Sequence, residues 1–273
     1  MQVISSKDND IIKNIKKLKE KKYRDLENSY IVEGLKMIKE AIEEKANIKQ
    51  IVICEECIHD GELDKDTLYE IAKYNLIYVT KKVFDQITEV KTPQGIIAVI
   101  EKKETNASDI RAIDYSQDII IALDDLQDPG NLGTILRTVD SANLNQIILS
   151  KNCADPYNPK VVRSTMGAIF RVNIIQVENL KEELENLKNN DFDIMVTSLD
   201  TQKSIYDVNY NKKVIVIGNE ANGVSKEVQD IADEKVKIPM LGKTESLNAS
   251  VATGIIIYEY VRRRTNEIIN SKG

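Results

Sequence analysis

From residue 118 onward, short and mainly apolar runs alternate with segments of helical periodicity. The runs predicted as strands are "DIIIALDDL", "NQIILS", "FDIMVTSL", "KVIVIG" and "KVKIPM". Strands that are apolar on both faces must be covered on both sides, and helices between parallel strands supply that cover. The alternation therefore predicts an α/β fold with a parallel sheet, which binds ligands at the carboxyl ends of its strands.

The first third of the chain shows the same alternation on a smaller scale. A charged helix is predicted over about 7–22, with further helices over "LKMIKEAIEEKA" and "DKDTLYEIAKYN" and strands over "YIVEG", "IKQIVICE", "LIYVT" and "GIIAVIEKK". Residues 104–117 are polar and have no sustained period, which is typical of a linker. We predict a small α/β domain over 1–104, a linker over 105–117 and the parallel-sheet domain over 118–273.

Composition narrows the class of protein. The 273 residues are 42% hydrophobic and 30% charged, with a net charge of −6, which is ordinary for a globular protein without a generally basic surface. No apolar run is long enough for a membrane span, and the N-terminus lacks the apolar core of a signal peptide. These features favour a cytoplasmic protein.

Cysteine and histidine are too sparse to suggest a metal centre. Three cysteines fit a reducing compartment, and the pair Cys54 and Cys57 has C-x-x-C spacing without a second ligand pair, so no metal site is predicted. The single histidine, His59, lies in an acidic loop-like stretch and is expected at the surface. Chemistry in the last two-thirds of the chain must therefore proceed without histidine.

A cluster of basic residues lies near the N-terminus. Its members are Lys13, Lys16, Lys17, Lys19, Lys21, Lys22 and Arg24. Such a cluster is either a solvated helix face or an electrostatic footprint on RNA, and composition leaves both open. In the second case Lys17, Lys21, Lys22 and Arg24 are the predicted RNA contacts.

The segment "KVIVIGNEANGVS" places glycines at Gly218 and Gly223 between a strand and a helix that opens near Ser225. The spacing is close to that of a phosphate-binding P-loop, but Val224 stands where the lysine belongs, and G-x-G-x-x-G is absent. A nucleotide hydrolase is therefore disfavoured. The loop either holds a neutral or zwitterionic nucleoside through backbone groups or is a tight strand–helix turn.

Two further loops end predicted strands with polar residues. In "LDDLQDPGNLGTILRT", Asn131 is expected near a helix N-cap and Arg137 about one and a half turns later. Taken singly, these residues are a cap and a surface ion-pair partner. In "KIPMLGKTESLNASVATG", Ser246 is the expected N-cap, and Asn248 and Ser250 add more polar groups than capping requires.

Together, "NLGTILRT", "IVIGNEANGVS" and "IPMLGKTESLNASVA" resemble the three signature motifs of the SpoU (TrmH-type) RNA ribose 2′-O-methyltransferases of the SPOUT superfamily. The N-terminal "KKYRDLENSYIVEG" and "TPQGIIAVI" resemble that family's small substrate-binding domain, which is similar to an RNA-binding ribosomal protein. The resemblance implies a C-terminal domain with a deep trefoil knot, and a homodimer whose sites lie close to the subunit interface.

The resemblance also implies a reaction, in which S-adenosylmethionine donates a methyl group to a ribose 2′-hydroxyl of RNA. The positions that match the family's catalytic motif residues are Arg137, Asn131, Glu220, Ser246 and Asn248, and those that match its cofactor pocket are Gly218, Asn219, Glu220, Ile238, Met240 and Leu247. Glu220 is expected either to order the loops or to orient Arg137. Ala249 and the pair Val139-Asp140 depart mildly from the family pattern.

An N-terminal extra domain is more typical of family members that act on large-subunit ribosomal RNA, so 23S rRNA is the expected substrate. A tRNA 2′-O-methyltransferase and a non-catalytic, ribosome-associated RNA-binding protein are the alternatives. No metal and no membrane association are expected.

Overall fold

The computed structural model describes residues 3–58, 64–103 and 113–270, so His59 and most of the predicted linker lie outside the described residues. Contacts divide the chain into two compact units, one formed by Met1–Glu104 with Asp155–Phe170 and the other by Thr105–Ala154 with Arg171–Gly273. Residues 155–170 thus pack with the N-terminal part of the chain. The domain boundaries given above stay a prediction.

The first unit contains a five-stranded mixed sheet. Its strands are β1 (Val3–Ile4), β2 (Ser29–Glu33), β3 (Ile48–Ile53), β4 (Leu76–Val79) and β5 (Ile96–Glu101), in the order β1-β4-β3-β5-β2. Its helices are α1 (Asp10–Lys17), α2 (Lys21–Leu26), α3 (Leu35–Glu43), α4 (Lys65–Ile71), α5 (Lys81–Ile87), α7 (Pro159–Thr165) and most of α8 (Ala168–Arg171). The four predicted strands and both later predicted helices of this region are present.

The single helix expected over about 7–22 is wrong, because the chain breaks between α1 and α2. Glu20 has an extended backbone, with φ −96° and ψ 135°. Arg24 Nη1 donates to the carbonyl oxygens of Leu18 and Lys19, at 2.9 and 2.7 Å. A side chain from the second helix thus satisfies carbonyls at the end of the first, which stabilises the break.

The C-x-x-C pair is buried in the first unit. The Sγ atoms of Cys54 and Cys57 lie 2.8 Å apart, at the end of β3. Burial raises the pKa of the Cys54 thiol to about 12, so this thiol is protonated and a poor nucleophile at neutral pH.

The second unit is built on a six-stranded parallel sheet. Its strands are β6 (Ile119–Leu123), β7 (Gln146–Ser150), β8 (Asn173–Val177), β9 (Asp193–Thr197), β10 (Lys213–Ile217) and β11 (Glu234–Val236), in the order β11-β9-β10-β6-β7-β8. The helices of this unit are α6 (Pro129–Ser141), α9 (Leu180–Lys188), α10 (Lys226–Ile231) and α11 (Ala249–Asn270). The predicted α/β fold with a parallel sheet is confirmed.

The strand order reverses between β6 and β10. Residue pairs run in register along these two strands, from Ile119 with Lys213 to Leu123 with Ile217. Every residue of β6, β7 and β10 is buried, as their apolar sequences predicted. In parallel sheets the crevice at such a reversal, outside the carboxyl ends of the strands, is the usual ligand site.

None of the helices in the described parts of the chain combines the length and the apolar character that crossing a membrane would need.

Candidate functional site

The carboxyl ends of β6 and β10 are joined by hydrogen bonds between their loops. Asp124 Oδ2 accepts from the backbone N–H of Ser225 at 2.7 Å, and Asn219 Nδ2 donates to the carbonyl of Asp125 at 2.8 Å. Asp124 is only 5% exposed, so its carboxylate anchors the start of α10 from inside the sheet edge. Two of the three motif loops are therefore held together directly.

The glycine loop after β10 is closed tightly on itself. The N–H of Asn219 donates to the carbonyl of Gly223 at 3.0 Å, and the N–H of Gly223 donates back at 2.9 Å. A Cβ on Gly218 would lie 2.0 Å from the Gly223 carbonyl carbon, and Gly223 has a left-handed φ of +69°. Both glycines are thus required by backbone approach and conformation, without any phosphate ligand.

Glu220 binds the β6 loop through its carboxylate. Oε1 accepts from the N–H of Asp128 at 3.1 Å and from Asn131 Nδ2 at 3.0 Å, while Oε2 accepts from the N–H of Gln127 at 3.2 Å. Partial burial opposes the charged form, but these hydrogen bonds outweigh it and hold the pKa of Glu220 below its ordinary value. Of its two expected roles, the contacts match the ordering of the loops.

Asn131 connects all three motif loops. While Nδ2 donates to Glu220, its Oδ1 accepts from Asn248 Nδ2 at 2.9 Å. Asn248 Oδ1 in turn accepts from the N–H of Ser250 at 2.9 Å, which caps α11. The glycine loop, the start of α6 and the start of α11 are therefore linked by one chain of side-chain hydrogen bonds.

Two expected helix caps are wrong. The N-cap of α6 is Asp128, whose Oδ1 accepts from the N–H of Asn131 at 2.7 Å, and Asn131 lies inside the first turn. The α11 helix begins at Ala249, and Asn248 rather than Ser246 accepts hydrogen bonds from its first N–H groups. In both cases the residue nearest the helix start makes the cap, and this leaves Asn131 free to bridge loops.

Arg137 lies on a different face of α6 from Asn131. Six residues at 100° each separate the two by about 120° around the helix, so Asn131 is buried while Arg137 is exposed. Among the described residues Arg137 has no hydrogen bond or ion pair, and it does not line the cavity described next. Its guanidinium is available to an external ligand.

A cavity of about 660 Å³ opens at the carboxyl edge of the sheet. All six residues predicted to bind the cofactor line it, namely Gly218, Asn219, Glu220, Ile238, Met240 and Leu247, as do Ser246 and Asn248. The end of β9 contributes Thr197, Ser198, Leu199 and Asp200, which the sequence analysis missed. Their position depends on the strand order, which places the carboxyl end of β9 beside that of β10.

The cavity lining carries a net negative charge. Asp200, Glu220 and Glu245 are its acidic members, and Lys237 is its basic member. Apolar side chains such as Ile217, Val236 and Leu247 supply the rest of the surface together with uncharged polar side chains and backbone groups. This lining suits a nucleoside that carries positive charge and disfavours a polyphosphate, in agreement with the absent P-loop lysine.

Of the predicted RNA contacts in the first unit, Arg24 needs correction. It is 2% exposed, and its Nε donates to Asp155 Oδ2 at 2.9 Å. The guanidinium is therefore committed inside the first unit and is not a surface contact. Lys17, Lys21 and Lys22 are exposed.

Within the described ranges there is no group of three or more His, Cys, Asp or Glu side chains placed to hold a metal ion.

Comparisons with known proteins match both parts of the chain. Residues 118–258 match the model of the SpoU rRNA Methylase family, and residues 9–98 match that of the MRM3-like substrate binding domain. The chain is 30% identical over 259 residues to the 23S rRNA (guanosine(2553)-2′-O)-methyltransferase RlmP of Bacillus subtilis (strain 168), a match that covers 94% of this chain and 98% of the relative.

Solved structures are similar over nearly the whole length. An AdoMet-bound rRNA methyltransferase from Sinorhizobium meliloti has a TM-score of 0.84 and 30% identity, covering 96% of this chain and 98% of that one. An RNA 2′-O ribose methyltransferase has a TM-score of 0.81 and 26% identity, covering 97% and 100%. The shared fold is that of these methyltransferases, and the trefoil knot stays a prediction from the resemblance.

Proposed function

The chain belongs to the SpoU rRNA methylase family, and we propose that it transfers a methyl group from S-adenosylmethionine to a ribose 2′-hydroxyl of 23S ribosomal RNA. The observation that carries the proposal is the meeting of the three motif loops at one sheet edge, where Asn131, Glu220 and Asn248 join them and where two of the loops line one cavity. The B. subtilis relative, matched over nearly its full length, supports ribosomal RNA over tRNA. A cytoplasmic location, where ribosomal RNA is found, belongs to the same proposal.

The residues present fit S-adenosylmethionine. A volume of about 660 Å³ is within the range of pockets that enclose drug-sized ligands. The cofactor is a zwitterion with an additional sulfonium charge, so its net charge is positive and complements a lining of three acids and one lysine. Backbone groups near Gly218, Ile238 and Met240 would hold the adenosine, with Asn219, Glu220 and Leu247 completing the pocket.

When bound, the cofactor supplies a methyl group on a positively charged sulfur that an in-line nucleophile can attack. The chain's task is therefore to position the ribose and to stabilise charge that develops on its 2′-oxygen. We assign this task to Arg137. Its guanidinium keeps its positive charge in proteins, so it cannot act as a base but can stabilise negative charge. It binds the phosphate beside the target ribose and stabilises the developing alkoxide charge.

The remaining motif residues act on the shape of the site. Glu220 and Asn131 fix the loops after β10 and β6, and Asn248 fixes the start of α11 against them. Ser246, which lines the cavity beside Asn248, presents a hydroxyl to the bound ligands. No metal ion takes part in this proposal.

A second copy of the chain is proposed to cover the outer face of α11. Val251 and Tyr258 are each 50% exposed, and the half-buried Ile255 lies between them on the same face of the helix. The helix also packs against α6, which carries the exposed Arg137. Dimerisation through this surface would place each Arg137 near the partner subunit. Light scattering tests this, and a monomer at micromolar concentration contradicts it.

The activity is tested with the full chain, the labelled cofactor and deproteinised 23S rRNA, with total tRNA as the competing substrate. The unaltered chain is expected to bind the cofactor in calorimetry and to methylate a 2′-hydroxyl in 23S rRNA. Removing one charge-stabilising donor costs about 10²–10³ in rate, so Arg137→Ala is expected to lose at least a hundredfold in kcat with cofactor affinity unchanged.

Arg137→Lys is the matched control, because it keeps the charge but loses the planar donor fork. Intermediate activity is expected. Equal activity of all three proteins contradicts the role of Arg137, and absence of methyl transfer by the unaltered chain contradicts the proposed function.

A further inference from the structure

The structure separates the N-terminal basic cluster into committed and available side chains. Lys19 Nζ donates to the carbonyls of Gln86 and Thr88 at 3.3 and 3.1 Å. Lys21 is paired with Asp25 at 2.8 Å, Lys13 with Asp10 at 3.8 Å and Arg24 with Asp155. Those four charges are neutralised or structural, so they contribute little to binding a polyanion.

The other three lysines, Lys16, Lys17 and Lys22, are exposed. Within the described parts of the chain, none of them has an ion pair or a hydrogen bond. Two of them converge on one aromatic ring, because Lys17 Nζ lies 5.5 Å and Lys22 Nζ 5.8 Å from the centroid of Tyr23. The unpaired charge of the cluster is thus concentrated around a half-buried tyrosine.

The same short helix exposes apolar surface beside the ring. Leu26 is 71% exposed and lies one turn after Tyr23 on α2. An aromatic face, an exposed leucine and two unpaired ammonium groups form a mixed apolar and cationic surface. An unpaired nucleotide has the complementary chemistry, since its base offers a flat apolar face and its neighbouring phosphates carry negative charge.

We propose that Tyr23, flanked by Lys17 and Lys22, is a stacking site for an unpaired nucleotide of the RNA substrate, an inference that rests on the proposed function for the existence of that substrate. The two ammonium groups, which lie over the ring in the chain without RNA, turn outward to bind the phosphates on either side. The base takes their place on the ring and extends over Leu26. An RNA duplex needs only the charges, because its bases are already stacked on one another. A single-stranded segment uses the ring as well.

The chain provides a matched control in the same unit. Tyr69 is 71% exposed on α4, and Lys73 Nζ lies 4.8 Å from its ring centroid. Lys73, however, is paired with Glu70 at 2.6 Å. The Tyr69 site therefore also combines an aromatic ring with a lysine, but it has one lysine rather than two and no unpaired charge, and it is not expected to bind RNA.

The test uses the absence of tryptophan from the chain. Tyr23→Trp and Tyr69→Trp each introduce a single indole fluorophore into the full-length protein, and stacking of a base quenches it. Single-stranded oligoadenylate is expected to quench Tyr23→Trp saturably and to leave Tyr69→Trp unchanged. A blunt RNA duplex at equal nucleotide concentration is expected to quench neither.

Affinity is measured in parallel by anisotropy of labelled oligoadenylate. Loss of one stacked base weakens binding by about 5- to 150-fold, so Tyr23→Ala is expected to bind at least fivefold more weakly, whereas Tyr69→Ala binds as the unaltered chain does. The Lys17→Ala/Lys22→Ala double variant is expected to reduce the slope of log affinity against log salt by about 1.4, since each phosphate contact on a single strand contributes about 0.7.

Unchanged RNA affinity in Tyr23→Ala overturns the proposal and makes the patch a solvated or protein-binding face. Quenching by the duplex as strong as by the single strand also overturns it. Failure of the proposed function is distinguishable, because it appears as absent methyl transfer to 23S rRNA by the unaltered chain. Cofactor binding by each variant, measured by calorimetry, confirms that the second unit is folded, and an unchanged thermal unfolding curve confirms that the first unit, which carries the substitutions, is folded as well.

Discussion

Asn131 is the residue at which the three motif loops meet, and its two side-chain hydrogen bonds run in opposite directions. It donates to Glu220 at 3.0 Å and accepts from Asn248 at 2.9 Å. Only a side chain with both an acceptor and a donor can make both contacts. The bridge, rather than helix capping, is therefore what Asn131 contributes to the fold.

Two substitutions at Asn131 distinguish the loss of both hydrogen bonds from the replacement of the donor NH₂ group by a second acceptor. Asn131→Ala removes both bonds and is expected to cost about 1–3 kcal/mol of stability and to weaken cofactor binding. Asn131→Asp has the same shape but places a second carboxylate against Glu220, so at pH 8 its melting temperature is expected to fall below that of Asn131→Ala. The difference in melting temperature between the two variants is expected to narrow at acid pH, because the two neighbouring carboxylates of the aspartate variant then share a proton. A more stable Asn131→Asp at pH 8 contradicts the assigned bond directions.

The charge of Glu220 gives the site a pH dependence of known sign. Its pKa in the folded chain is below the ordinary value, so its stabilisation is present above that ordinary value and is lost as pH falls through the folded one. Thermal unfolding of the unaltered chain and Glu220→Gln is compared from pH 7 to pH 3.5. The difference in melting temperature is expected to be constant down to about pH 5 and to close below about pH 4.3. A difference independent of pH means that folding does not shift the pKa of Glu220, so that its charge does not stabilise the fold.

At the scale of elements, five of the six strands of the second unit were predicted, because a strand buried on both faces is apolar at most positions. β6, β7 and β10 are such strands. The two-residue β1 and the short α5, α7 and α8 were missed, since such short segments have no period of their own, and the strand β8 was missed as well. The contribution of β9 to the cavity depends on strand order, which local patterns do not contain.

The glycine loop is the element whose geometry is most restrictive. A Cβ at Gly218 would lie 2.0 Å from the Gly223 carbonyl carbon and 2.1 Å from the backbone nitrogen of Val224, so backbone must move. Gly218→Ala is expected to destabilise the chain by about 1–3 kcal/mol or more and to abolish measurable cofactor binding in calorimetry.

Gly242→Ala is the matched control for that substitution. It lies in the segment before α11, and a Cβ there meets no atom within 4 Å. Stability and cofactor affinity close to those of the unaltered chain are expected. Loss of cofactor binding in both variants would mean that loop flexibility, rather than the close approach at Gly218, governs the pocket.

At the scale of the whole molecule, segments that are consecutive along the chain do not always belong to the same compact unit. Residues 155–170 are flanked on both sides by the second unit, yet they pack with residues 1–104. No composition change marks this segment, and the sequence analysis assigned no helix or strand to it. Its placement depends on a contact between residues 131 positions apart, which a sequence pattern cannot contain.

That contact is the ion pair of Arg24 with Asp155. Because the pair is buried, we expect the effects of substituting the two residues on the free energy of unfolding to be strongly coupled. The side chains are 2% and 9% exposed, so Arg24→Met or Asp155→Leu alone leaves one buried charge without its partner, at a cost of about 3–5 kcal/mol. Replacing both is expected to cost clearly less than the sum of the single changes, as measured by denaturant unfolding in a double-mutant cycle.

Arg24→Met also tests whether Arg24 stabilises the fold or contacts RNA. Because its guanidinium is buried, its loss is expected to lower stability while leaving the salt dependence of RNA binding unchanged, measured below the unfolding transition. Lys17→Ala/Lys22→Ala is expected to do the reverse. A reduced salt slope in folded Arg24→Met would show that Arg24 leaves Asp155 to bind a phosphate, and would restore it to the RNA-contacting set.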